Sequence, residues 1–553
     1  MGMSGSRDSS HIVRFNDSGI IESINEENEL SDVAEVLNYL ILSGQLNILM
    51  SREQWLRTFY DFEESEEEEY DYPAAPIPPP RINTPLNAAN LNKSDIKTIT
   101  ERSCGLRQKR SLSRPRNIVD MLNMQKNGMP GSGNFTHGDM CKITNYRVPC
   151  HLVKDVDRYN TKAFISVFSD DGNKLLTVSQ DRNLHLYDSS APLYTPIKQE
   201  KGKDIDWSIL DAAFTPDGAT VIFSSWSNNI HAWRINDDSD QAGSAQDKLI
   251  IDVEESRFAC FSVAVSYDGS YALAGANDGC IYMYDRHSDK RTLRLQAHEE
   301  DVNAVRFGSY GDDVILSGSD DGLIKVWDRR VINTNNPKAV GMFSGHRDGI
   351  AYLDMKGDGR HFISNSKDQT IKLWDMRKFS STKEESRTRE ALCVPDWDYR
   401  WQPVPKKLKC KSPLPEDTSV MTYRGHAVLQ TLIRAKFSPT RTTGQRYIYT
   451  GCASGRLVVY DLLTGKIEKV FKGHEANVRD VSWHPYRSEI VTASWDCRVK
   501  LWNSAPAMVD ENDDEIPIKR VRRSARIAAR QRDAETKSKI ICVSDEGAGP
   551  SSI

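Results

Sequence analysis

No stretch of the 553-residue chain approaches the roughly 18 consecutive apolar residues of a membrane span, and residues 1–11 lack the apolar core of a secretory signal. Membrane spanning and secretion are therefore not expected. The ten cysteines include no CxxC pair and no dense framework, which reads as reduced thiols. Neither charge sign dominates: 73 Lys and Arg oppose 78 Asp and Glu, so the molecule as a whole has no pull towards nucleic acid or an anionic membrane. Gly-rich phosphate loops, HExxH helices and Cys/His metal sets are missing too, and Cys141, Cys150 and His151 have the wrong spacing for zinc. No cofactor, no metal and no catalytic residues are expected. Hydrophobic residues make up only 38% of the chain, enough for a sizeable core but low enough that part of the sequence is expected to stay outside it.

What is present, from about residue 155 onward, is repetition. Seven segments end on an aromatic: LHLYD (Tyr187), IHAWR (Trp233), IYMYD (Tyr284), IKVWD (Trp327), IKLWD (Trp374), LVVYD (Tyr460) and VKLWN (Trp502). Their spacings are 46, 51, 43, 47, 86 and 42 residues, and the outlier is one period lengthened by a polar, proline-bearing insertion at 378–420. Within a unit the apolar residues alternate, as in VNAVRF (302–307) and VILSGS (314–319), between turn residues such as Gly311 and Gly322. That is the pattern of short antiparallel strands.

The units resemble WD repeats, with AH at His298 and GH at His346, His426 and His474 near their starts. The resemblance covers about 350 residues. It implies an all-β fold, a seven-bladed propeller of four-stranded sheets over 141–503, in which a strand within 142–155 closes the ring. Three units carry a full polar set: His298, Ser319, Asp321 and Trp327; His346, Ser366, Asp368 and Trp374; His474, Ser494, Asp496 and Trp502. In the family such residues form a buried hydrogen-bond chain, with Ser bridging the indole donor to a His oriented by Asp. Recurrence at fixed offsets marks a structural network and not a nucleophilic triad. Two other units have Ser227 and Ser454 in place of the Asp and are expected to be less firmly tied. Asp170 with Asp171, and Asp320 with Asp321, fall at strand turns where Asp is favoured for backbone reasons.

Outside the propeller, residues 1–30 and 504–553 are expected to be disordered and 31–60 to hold a short helical segment, with apolar residues at helical spacing behind Ser31 and a capping pattern at Ser51 and Gln54. Residues 61–140, with an acidic run at 61–72 and five prolines in 73–80, read as a mostly disordered linker. The tail carries a basic run at 519–532, in which Lys519, Arg520, Arg522, Arg523 and Arg526 are expected to act as a nuclear-localisation signal. It has no interleaved aromatics for stacking, so nucleic acid is not expected as its partner. The nucleus is the expected compartment, with the cytoplasm as a second.

Two consecutive units match WDxR: Trp327, Asp328 and Arg330, then Trp374, Asp375 and Arg377, within ILSGSDDGLIKVWDRR (315–330) and FISNSKDQTIKLWDMR (362–377). Asn365 departs from the small residue usual there. The pair resembles the signature of WD-repeat substrate receptors of cullin-4 RING ubiquitin ligases. The resemblance implies that these six residues contact the damaged-DNA-binding adaptor protein, with cullin-4 held indirectly, and that an N-terminal helix inserts into the adaptor, 31–42 first and 116–124 second. A planar guanidinium suits such a contact because it bonds carboxylates bidentately. The words WDYRWQPVPKK (397–407), MTYRGH and VRDVSWHP strengthen the likeness to the adaptor-and-cullin-4-associated-factor series. There the implied function is ubiquitination of substrates for proteasomal degradation, including cap-n-collar bZIP stress transcription factors. Two rival readings are a general WD scaffold in a nuclear RNA or chromatin complex, and a channel enzyme, which requires a titratable cluster that the repeat does not explain.

Overall fold

A computed structural model describes residues 89–106 and 137–504, apart from 146–147, 150, 192, 236–245, 252, 254–256, 309–310, 334–336, 393–396, 409–411 and 416. The expected helical segment at 31–60, the 116–124 helix, the acidic run and the tail lie outside these residues.

Alternating apolar residues build seven four-stranded antiparallel sheets. In chain order the blades span 163–201, 209–250, 260–296, 302–343, 350–424, 435–472 and 478–503. The last is completed by His151–Arg158, which pairs antiparallel with Arg498–Asn503 from His151↔Asn503 to Arg158↔Arg498. The ring thus closes by joining the chain's two ends, and the sheet edges that remain are short and protected. The closing strand begins at His151, and 142–145 belong to a helix.

Each sheet buries both faces against its neighbours, so inner strands such as Val478–Trp483 are buried throughout. Between blades four and five, Phe343, Phe362 and Trp374 pack at centroid distances of 5.0 to 6.4 Å. The antiparallel order gives the ring two faces. One, the WD face, carries the ends of the third strands and the first turn of each blade; the opposite face carries the second turns and the loops between blades.

Among the described residues, five short helices decorate the ring: α1 (Ala89–Lys93), α2 (Asp95–Ser103), α3 (His137–Asn145), α4 (Thr382–Ala391) and α5 (Thr440–Thr443). The first two fall within 61–140, the span expected to be a mostly disordered linker, most of which lies outside the described residues. Ser94 caps α2 by accepting from Ile96 N, and Leu91 and Ile96 are fully buried with Tyr423, Phe437 and Ile448 of blades five and six. Ser103 donates to Gly444 O across 2.8 Å. An apolar stripe this short is hard to see behind a proline-rich segment, but burial against the ring stabilises it beyond its own propensity. The insertion is also built: α4 opens with a capping box between Ser381 and Glu384 and runs to the opposite face. There Arg389 pairs with Glu299, and Leu392 packs so tightly on Gly322 that a Cβ on the glycine would meet it at 2.7 Å.

Candidate functional site

The polar chain exists in blades four, five and seven, but its bridging hydroxyl is not the expected one. Trp327 Nε1 donates to Ser317 Oγ at 2.9 Å, His298 Nε2 meets the same oxygen at 2.7 Å, and His298 Nδ1 meets Asp321 at 2.8 Å. Ser364 and Thr492 play this part for Trp374 with His346 and for Trp502 with His474. Register explains the correction: Ile315 lies opposite Trp327, so the diagonal neighbour on the same face is Ser317. Ser319, Ser366 and Ser494 sit one pleat further, where each accepts from the backbone N–H of Asp321, Asp368 or Asp496 and donates to a loop carbonyl. Burial alone would raise Asp321, but the His298 bond and charge hold it below the usual carboxylate range. Burial pushes His298 itself down.

Blades two and six differ. In blade two His231 Nε2 meets Ser227 Oγ at 3.1 Å, and the buried Trp233 indole has no hydrogen-bond partner among the described residues. In blade six Tyr460 OH bonds His426 Nδ1, and His426 Nε2 reaches Asn365 Oδ1, each at 3.0 Å. Asn365 also donates to Ile433 O. Its departure from the small-residue pattern therefore serves a replacement chain linking blades five and six.

On the WD face the two motifs have different surroundings. Trp327, Trp374 and Asp375 are buried at 2% exposure or less, which removes them as direct contacts of any partner and makes them supports. Arg330 is exposed but folds back bidentately on Asp328, at 3.0 and 2.7 Å, and its bonds hold Asp328 down to about 2. In blade five that role passes to Arg360, which grips Asp375 at 2.8 and 2.6 Å and reaches Asp95 at the start of α2 at 3.0 Å. Burial opposes ionisation of Asp375, yet the Arg360 pair keeps its pKa low. Arg377 donates only its backbone N–H to Asp375, and its exposed guanidinium has no partner among the described residues. Exposed Tyr267, Val331, Val340 and Phe379 lie on the same face. Arg360 and Asp95 carry no motif and were missed; Asp328 keeps its Arg330 within the motif, whereas Asp375 takes a partner brought close only by the hairpin.

The channel holds a titratable cluster outside the repeat. Arg434 lies 2.8 Å from Asp211 and 3.0 Å from Asp480, and Lys436 takes the other Asp480 oxygen at 2.8 Å. Arg479 donates to Phe164 O and Leu210 O. These bonds tie the inner strands of blades one, two, six and seven together, so the cluster acts as a clamp. Among the described residues no three His, Cys, Asp or Glu side chains are grouped to hold a metal, and no helix is long and apolar enough to cross a membrane. Cys104, Cys141, Cys260, Cys280, Cys452 and Cys497 are free thiols.

A family model described as "WD domain, G-beta repeat" matches 253–285, 289–328, 337–375 and 465–503. The DDB1- and CUL4-associated factor 11 homolog of Caenorhabditis elegans is 38% identical over 397 residues, covering 70% of this chain and 68% of that protein. Its Caenorhabditis briggsae counterpart is 37% identical, with 74% of each covered. The chain belongs to the DDB1- and CUL4-associated factor 11 family. The LEC14B protein of Lithospermum erythrorhizon is also similar, at 36% identity over 73% of this chain and 84% of that protein. At 24% identity, the yeast guanine nucleotide-binding protein subunit beta is a more distant relative.

Proposed function

We propose that this protein is the substrate-recognition subunit of a cullin-4 RING ubiquitin ligase. The observation that carries the reading is family membership with relatives named for association with DDB1 and CUL4. The WD face supplies the chemistry: an exposed Arg377 with no partner among the described residues, a second exposed Arg330, and apolar Val331 and Phe379 around them. A guanidinium free of internal ion pairs is available for bidentate bonding to a partner carboxylate without first breaking a bond. The receptor's own action is proximity, because holding a substrate beside a charged ubiquitin carrier raises its effective concentration. A cap-n-collar bZIP factor is the proposed substrate, and the basic run at 519–532 is the proposed nuclear address.

The test is co-purification of DDB1 and CUL4 with the full chain, wild type against Arg330→Ala with Arg377→Ala. Loss of both partners with an unchanged melting temperature supports the docking mode, and retention of both refutes it. Failure of wild type to bring down DDB1, with recovery of RNA or chromatin proteins instead, would favour the scaffold reading.

A further inference from the structure

The two WDxR motifs differ at a position that the motif does not include. In blade four the second strand begins at Val314, opposite Asp328, and in blade five at His361, opposite Asp375. The residues just before, Asp313 and Arg360, are therefore equivalent, and the backbone agrees: Asp313 O accepts from Arg329 N and Arg360 O from Met376 N, at 2.8 and 2.9 Å. Their charges are opposite.

Arg360 is fully committed. Its Nε and one terminal nitrogen bond the two oxygens of Asp375 at 2.8 and 2.6 Å, and the other terminal nitrogen bonds Asp95 at 3.0 Å. The Asp375 side chain is only 1% exposed, so a second guanidinium has no approach to it. Blade six repeats the arrangement, with Arg446 directly before Tyr447, Tyr447 opposite Asp461, and Arg446 paired with Asp461 at 3.1 Å. In blade four a carboxylate stands in that place. Asp313 cannot grip Asp328, whose side chain stays 19% exposed, and Arg330 closes on Asp328 from solvent with its Nε 4.0 Å from Asp313. An arginine held between two carboxylates has to leave both before it can bond a third.

We propose that the residue before the second strand is a positioning residue for adaptor docking: Arg360 occupies Asp375 and so leaves Arg377 free, whereas Asp313 leaves Asp328 to Arg330 and holds that arginine back. Blade five is then the docking blade and blade four the weaker one. The pairing is a property of this chain alone, while its consequence for docking rests on the receptor reading.

The test has two readouts on the full chain. Phenylglyoxal, which attacks guanidiniums that are free of ion pairs, followed by mass spectrometry, should modify Arg377 about fivefold faster than Arg330, the factor that an exposed ion pair supplies. Asp313→Arg should bring the Arg330 rate up to that of Arg377. Calorimetric titration with DDB1 reads the consequence: Arg360→Ala should weaken binding about fivefold, because Asp375 then draws Arg377 back, and should add nothing when Arg377→Ala is already present. Asp313→Arg, a change at an exposed site that keeps the test open should Arg360→Ala fold poorly, should strengthen binding about threefold, and the gain should vanish with Arg330→Ala. Equal losses from Arg360→Ala in both backgrounds would make Arg360 a general support or a direct contact and overturn the proposal. Equal phenylglyoxal rates for Arg330 and Arg377, or no gain from Asp313→Arg, would overturn it too. Failure of wild type to bind DDB1, with the expected phenylglyoxal rates, would refute the receptor reading and the docking half of the proposal while upholding the pairing.

Discussion

The identity of the bridging hydroxyl can be settled by a double-mutant cycle in blade five. Ser364→Ala deprives two buried groups at once, the Trp374 indole at 2.7 Å and His346 Nε2 at 2.6 Å. Each unsatisfied group costs ~1–3 kcal/mol, so the total is ~2–6 kcal/mol. Ser366→Ala removes bonds to Asp348 O and Asp368 N at the loop end, where Asp348 is partly exposed and water can substitute; ~1 kcal/mol is expected. For a propeller of about 350 residues, ~2.1 cal/mol/K per residue gives ~0.7 kcal/mol per degree, so Ser364→Ala should lower Tm by ~3–8 °C. The decisive quantity is coupling to Trp374→Phe, which keeps an aromatic ring and deletes the donor. With Ser364→Ala already present the indole has no acceptor to lose, so the cycle should give a coupling of ~1–2 kcal/mol; with Ser366→Ala it should be near zero. Urea midpoints and calorimetry both read it. Equal coupling to the two serines, or stronger coupling to Ser366, would refute the chain through Ser364.

Trp374→Ala, which also opens a cavity among Phe343 and Phe362, should cost ~3–5 kcal/mol and impair folding as well as docking. Arg377→Ala should weaken DDB1 co-purification more than Arg330→Ala, since Arg330 must first leave Asp328, and neither should shift Tm; equal effects would remove the argument from internal pairing. Stability should fall as pH drops from about 6.5 to about 4, because burial holds His231, His426 and His484 down to about 4 while the unfolded chain protonates them near 6.5. In that window the unfolded state binds more protons, so three groups give a slope of up to about 4 kcal/mol per pH unit; a flat pH profile of urea midpoints there would contradict their neutral burial. Arg520, Arg522, Arg523 and Arg526 changed together to Ala should move a tagged protein towards the cytoplasm with DDB1 co-purification intact, and unchanged nuclear accumulation would remove the address from this segment.

The seven blades were legible because alternation, turn residues and a terminal aromatic recur in each, and recurrence reveals whatever a fold needs many times over. The same property limits it. Ser317 and Ser319 occupy the same face of one strand, so composition and spacing place both near the Trp, and only the Ile315↔Trp327 register decides between them. The contrast between Arg330 and Arg377 has a similar origin. The two sequences around them are near copies, but Asp375 meets Arg360 through the pairing of His361 with Asp375, and a near-copied motif thereby engages its arginine in one blade and releases it in the next. The channel clamp joins Asp211 to Arg434 across more than 200 residues and occurs once, so no repeat alignment exposes it. What makes this chain more than a generic propeller therefore lies where the repeat is broken: at Asn365, at Arg360 with Asp95, and in the insertion that α4 carries to the opposite face. Substitutions at repeated positions should change how stably the ring holds, and substitutions at these singular positions should change what it holds.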